Sequence, residues 1–131
     1  PGPLDVRMVK GIYLEPARIA HVEAEPIREA YARCVERLLA RGAFVRLATH
    51  DEGLASRCFE LLRARGVGHE GYELEVLLGV REALWERWSA DGRTVRVYVP
   101  YGPDWHAYSL RRMRENPQVL GHVLRNTFGR S

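Results

Sequence analysis

Two hydrophobic periods take turns along this chain: apolar residues alternate with polar ones over short runs, then recur every three or four positions over longer ones. Asp5 to Val9 reads as a strand. After a loop through Glu25, residues Ile27, Ala30, Tyr31, Cys34, Val35, Leu38 and Leu39 recur at helical spacing within Pro26 to Arg41, with Gly42 as terminator. Ala43 to Thr49 is the second predicted strand. Its helix, Glu52 to Arg65, presents Leu54, Ala55, Cys58, Leu61 and Leu62 on one side and stops at Gly66. Tyr72 to Leu78 is the third strand, followed by a helix from Arg81 to about Ala90 with Leu84, Trp85 and Trp88. Thr94 to Val99 is the fourth, followed by predicted helices over Asp104 to Glu115 and, past Pro117, from Gln118 to about Thr127.

Strands separated by amphipathic helices must return in the same direction, which predicts parallel pairing in an α/β fold. A (β/α)8 barrel takes about 250 residues, and this chain has 131. The expected architecture is therefore a (βα)4 unit, the C-terminal half of a TIM-type (β/α)8 barrel, with a closing C-terminal helix and all of residues 1–131 in one domain. No glycine-rich dinucleotide fingerprint follows any strand, which counts against a doubly wound sheet. In a barrel the working residues lie at the carboxyl ends of the strands. Here those ends read Lys10-Gly11-Ile12-Tyr13, Thr49-His50-Asp51, Leu77-Leu78-Gly79 and Tyr98-Val99-Pro100-Tyr101-Gly102, more polar, aromatic and glycine-bearing than the strands behind them. A half-barrel would also leave two sheet edges and an apolar interior unpaired.

The formal charge is +3 and the pI about 9.2. Basic residues are spread over every predicted helix, usually with glutamates between them, so they read as solvated faces, and a nucleic-acid module is a distant alternative. Lys10 is the single lysine. No apolar run approaches the roughly 18 residues of a membrane span, and no signal-peptide pattern opens the chain. The start at Pro1-Gly2-Pro3, without Met, suggests a cut or processed end. Cys34 and Cys58 lack metal-ligand or CxxC spacing and are expected to be buried thiols in a reducing compartment.

The last βα unit carries the sharpest chemical pattern. Strand-like Val95 to Val99 ends in Pro100-Tyr101-Gly102, and the helix after it bears Tyr108, Arg111, Arg112 and Glu115. On a helix Arg111 and Glu115 are four apart and Arg112 and Glu115 three apart, so they share a surface. Two guanidinium forks beside one carboxylate complement a small zwitterion, which makes an amino acid the natural ligand. The competing reading is an ordinary helix end with cations near its negative pole.

Five segments together resemble proline dehydrogenase, in that family's order: Arg7-Met8-Val9-Lys10-Gly11-Ile12-Tyr13-Leu14-Glu15, Ala48-Thr49-His50-Asp51, Tyr72-Glu73-Leu74-Glu75, Val95 to Gly102, and Tyr108 to Asn116. The resemblance covers nearly the whole chain and matches the last four βα units and closing helix of the family's barrel. It implies FAD-dependent oxidation of L-proline to 1-pyrroline-5-carboxylate, with electrons passed to a membrane quinone, by a cytoplasmic protein peripheral at the inner membrane face. It also implies that the first half of the barrel is a missing partner, and that this chain alone is not a competent enzyme.

Residue by residue, the resemblance makes Arg7 the catalytic cation near flavin N5, where positive charge stabilises the electrons the flavin accepts. Lys10, Gly11 and Ile12 match a segment lining the FAD, and Thr49 and His50 match a second FAD contact. Arg111 and Arg112 match the arginines on the proline carboxylate, and Glu115 the carboxylate near its amine. Tyr98 and Leu77 match residues packed on the pyrrolidine ring. Tyr108 matches a tyrosine that disfavours a hydroxylated analogue, and Tyr13 one that shapes the site. Ile12 stands where the family commonly has alanine, and Glu75 where glutamine is usual. The alternative is a noncatalytic truncated paralogue that serves as a small-molecule binding or interaction module.

Overall fold

The computed structural model describes residues 4–11 and 15–103, which form four strands, three α-helices and one 3-10 turn. In chain order they are β1 (Asp5–Val9), α1 (Ala24–Leu39), β2 (Phe44–Ala48), α2 (Glu52–Ala64), the turn His69–Gly71, β3 (Tyr72–Leu77), α3 (Glu82–Ala90) and β4 (Val95–Tyr98). The strands make one parallel sheet in the order β1-β2-β3-β4. Val6 lies opposite Val45, Leu47 opposite Leu74, and Val76 opposite Val97.

A single core explains this arrangement. Tyr31 and Val35 from α1, Leu54, Cys58 and Leu62 from α2, and Leu84 and Trp88 from α3 pack with Val45, Leu47, Leu74 and Val76. Side chains alternate across a strand, so these strand positions share one face, and all three helices cover that face. A doubly wound sheet would carry helices on both faces and reverse its strand order. Sequential parallel strands with one-sided helices are an α/β arrangement consistent with part of an α/β barrel.

Local signals set the element ends. Asp51 caps α2, its Oδ1 accepting from the Leu54 amide at 3.1 Å. Gly42 and Gly66 follow α1 and α2 with φ of 70° and 68°, the left-handed conformation that closes a helix C-terminus. The first helix begins two residues earlier than its pattern predicts, at Ala24, because Pro26 sits in the first turn, where the missing N–H costs no intrahelical bond.

Two expectations need correction. Cys34 is exposed, and only Cys58 is buried. The buried stripe of α1 runs through Tyr31, Ala32 and Val35, and at 100° per residue Cys34 lies well to one side of Val35. Second, the sheet face without helices is not an apolar interior. It carries Asp5, Arg7, Arg46, Glu73, Glu75 and Arg96, joined in ion pairs. Opposite charges at alternating strand positions satisfy one another there, where apolar side chains would lack partners.

Ile12, Tyr13, Tyr108, Arg111, Arg112 and Glu115, with the predicted helices after Asp104, lie outside the described residues. Among the described residues no helix is long and apolar enough to cross a membrane, and no group of three or more His, Cys, Asp or Glu could hold a metal ion.

Candidate active site

Parallel pairing brings the ends of all four strands to one edge of the sheet. Lys10 follows β1 and its amide donates to the Ala48 carbonyl at 3.1 Å, while its Nζ lies 2.5 Å from Asp51 Oδ2, just past the end of β2. Arg28 Nε reaches the same oxygen at 2.8 Å. The Asp51 amide donates to Thr49 Oγ1 at 3.1 Å, which fixes the turn between strand and helix. Burial raises the Asp51 pKa, but hydrogen bonds from Arg28, Lys10 and the Leu54 amide outweigh it and hold the carboxyl well below the usual range.

His50 ties β2 to β3. Its Nε2 accepts from the Leu77 amide at 3.1 Å, and its carbonyl accepts from Arg81 Nη1 at 2.8 Å. Acceptance at Nε2 assigns the ring proton of neutral His50 to Nδ1. Arg81 holds this position with a left-handed φ of 49° and also pairs with Glu52 at 3.2 Å. Leu77 lies opposite Tyr98 in the β3–β4 register, and Tyr98 is half exposed on the open face. Val9, Leu78, Tyr98, Val99 and Tyr101 are all exposed, so this edge has an apolar rim. Among the described residues, a Cβ added at Gly11 would meet nothing within 4 Å, so they leave open space over the backbone there.

Behind the rim lies a charged lattice. Arg46 on β2 bonds Asp5 on β1 through Nε at 2.7 Å and Nη2 at 2.8 Å, and pairs with Glu73 on β3. Arg96 on β4 bonds Glu73 through Nε at 2.7 Å and Nη2 at 3.0 Å. Arg7 on β1 reaches over β2 to Glu75 on β3, donating from Nη2 to Oε1 at 3.0 Å and from Nε to Oε2. Two strand spacings are about 10 Å. Two long side chains span that gap, and Ala48, the β2 partner of Glu75, leaves room beneath them. The Arg96 hydrogen bond is the main cause that lowers the Glu73 pKa, and the Arg46 bond does the same for Asp5.

The structure thus places Lys10, Gly11, Thr49, His50, Leu77 and Tyr98 at one sheet edge, with Arg7 on the open face behind them. Sequence reasoning passed over the residues that hold them. Asp51 engages Lys10 and is itself held by Arg28, and the hydroxyl of buried Tyr31 donates to the Met8 carbonyl at 2.7 Å. Asp5, Arg46, Glu73 and Arg96 were legible as polar positions of alternating strands, with opposite signs on neighbours.

A family model described as proline dehydrogenase matches residues 2–125. The chain is 39% identical over 120 residues to proline dehydrogenase of Deinococcus radiodurans, a match covering 92% of this chain and 39% of that protein. Identity is 32% over 120 residues to proline dehydrogenase 2 of Bacillus subtilis and 30% over 121 residues to that organism's proline dehydrogenase 1. Each of these matches covers 92% of this chain and 40% of the relative, so the chain spans about 40% of the length of the curated relatives it matches. On its match to the family model and on these identities, the chain belongs to the proline dehydrogenase family.

Proposed function

We propose that residues 1–131 form the C-terminal half of a (β/α)8 barrel that binds FAD and oxidises L-proline to 1-pyrroline-5-carboxylate, with electrons passed to a membrane quinone. The observation that carries this reading is the gathering of Lys10, Gly11, Thr49, His50, Leu77 and Tyr98 at the carboxyl edge of one parallel sheet, the edge where barrels do their chemistry. The missing first half would pair with the edges of β1 and β4 and close the barrel over the charged face.

The donor set suits a flavin carrying a pyrophosphate. Arg7 spends two of its five N–H donors on Glu75 and keeps its side chain 60% exposed, so donors remain for a group above the sheet. The open space that the described residues leave over Gly11 admits a close approach to its backbone, and Lys10, paired with Asp51, lies beside it. FAD, when bound, supplies the two-electron acceptor: hydride leaves the ring carbon next to nitrogen, nitrogen loses a proton, and a C=N bond forms.

This chain's residues would do the rest. Arg111 and Arg112 would hold the proline carboxylate and Glu115 its amine. Tyr98 and Leu77 would pack on the ring and exclude water, and Tyr108 would crowd a hydroxylated ring. Arg7 would place positive charge where electron density arrives. Ile12 would line the flavin pocket with Lys10 and Gly11, while Thr49 and His50 would hold the second contact. Transfer to a quinone would bring the protein to the inner membrane face.

The test is the cofactor. Purified full-length barrel protein should show flavin absorbance and release FAD on denaturation. Colourless protein that binds no added FAD would refute the reading and favour a noncatalytic binding module.

A further inference from the structure

We propose that Glu75 sets the effective charge that Arg7 presents on the open sheet face, and so tunes the electron affinity of the flavin held there. The inference rests on the proposed placement of flavin beside Arg7. Its ground is the double hydrogen bond between Arg7 on β1 and Glu75 on β3, which crosses an entire intervening strand. The Glu75 side chain is 8% exposed and the Arg7 side chain 60%, so the carboxylate is the fixed member and the guanidinium leans out from it. Among the described residues Arg7 pairs only with Glu75, whereas Glu73 serves Arg46 and Arg96.

A cation and an anion in bidentate contact act on a third group as a dipole, and much of the guanidinium's charge is cancelled at a distance. Arg46 Nη1, 3.9 Å from Glu75 Oε1, shares the carboxylate only weakly. A neutral glutamine at position 75 would keep the same skeleton and one acceptor for Arg7, so its position would persist while its full charge was released. The glutamate would therefore make this flavin a weaker electron acceptor than a glutamine would.

Sulfite reports that charge without proline or turnover, because it adds to oxidised flavin and leaves negative charge on the ring. Flavin-loaded full-length protein is titrated with sulfite as wild type, Glu75→Gln and Glu73→Gln. Glu75→Gln should tighten sulfite binding about tenfold, the scale of one unit charge about 12 Å away at a dielectric of about 20. Glu73→Gln, which leaves the Arg7 pair intact and removes a charge about 7 Å farther back along the strand, should shift it clearly less, by about fourfold. A Glu75→Gln affinity within twofold of wild type, or an equal shift in Glu73→Gln, would overturn the inference. If Glu75→Gln is isolated without flavin, Glu75→Met takes its place, since it is also neutral and of similar length and should shift affinity the same way. Loss of flavin from both variants would make Glu75 part of flavin binding and also overturn a tuning role. Wild-type protein that binds no flavin would instead strike the proposed function itself.

Discussion

Lys10, just past β1, and Asp51, just past β2, meet 2.5 Å apart at the shared edge of the sheet, and Asp51 also caps α2. One carboxylate thus joins a strand end, a helix start and, through Arg28, the first helix. Asp51→Ala removes the cap, worth about 0.5–2 kcal/mol, and the charge-assisted bonds, worth about 1.5–3 kcal/mol. It should destabilise the protein by about 2–4 kcal/mol in urea unfolding. Asp51→Asn, which can still cap, should lose about half as much. Equal losses in the two variants would remove the cap's share.

The same carboxylates set the acid limit. Asp51, Glu73 and Asp5 all have lowered pKa values in the folded protein, so as pH falls the unfolded chain takes up protons first. Their stabilisation is fully present above the ordinary carboxylate range, about pH 4, and is lost as pH falls below it. Urea midpoints should hold steady from about pH 7 to 5 and then drop. Asp51→Asn should show a shallower drop, and an unchanged slope would contradict the assignment.

The two thiols should separate cleanly under a thiol reagent. Cys34 is exposed, while burial pushes the Cys58 thiol up to about 12. At neutral pH Cys34 should be modified at once and Cys58 only as fast as the protein unfolds. Prompt modification of both would show that the α2 face opens locally.

Cys34 also shows how sequence periodicity falls short. Ile27, Ala30, Tyr31, Cys34 and Leu38 fit a helical stripe as well as the observed one does, and the packed structure buries Ala32 where the pattern would bury Cys34. Strand positions were easier to read. Val45, Leu47, Leu74 and Val76 have period two and flank helices with one apolar side, so parallel order and the common edge follow. The lattice was written in the same alternation as Asp5, Arg7, Arg46, Glu73, Glu75 and Arg96, but its pairings depend on register. Arg7 meeting Glu75 across β2, over small Ala48, is a third-strand contact that no local pattern encodes.

Under the proposed function Arg7 should matter to chemistry more than to folding, since its charge would act where electrons arrive. In flavin-loaded full-length protein, Arg7→Met should slow flavin reduction by proline by about tenfold or more while proline affinity changes less. A wild-type reduction rate would return Arg7 to a purely structural partner of Glu75.

Anaerobic titration of flavin-loaded full-length protein with L-proline tests the account most directly. Wild-type flavin should bleach as proline is added. Arg111→Ala and Arg112→Ala should each need far more proline for half reduction, by about thirtyfold or more, because losing one partner of a desolvated charge pair costs about 2–5 kcal/mol. Flavin that stays oxidised at saturating proline, or half-reduction within about twofold of wild type in both variants, would contradict a proline-oxidising site built on these arginines.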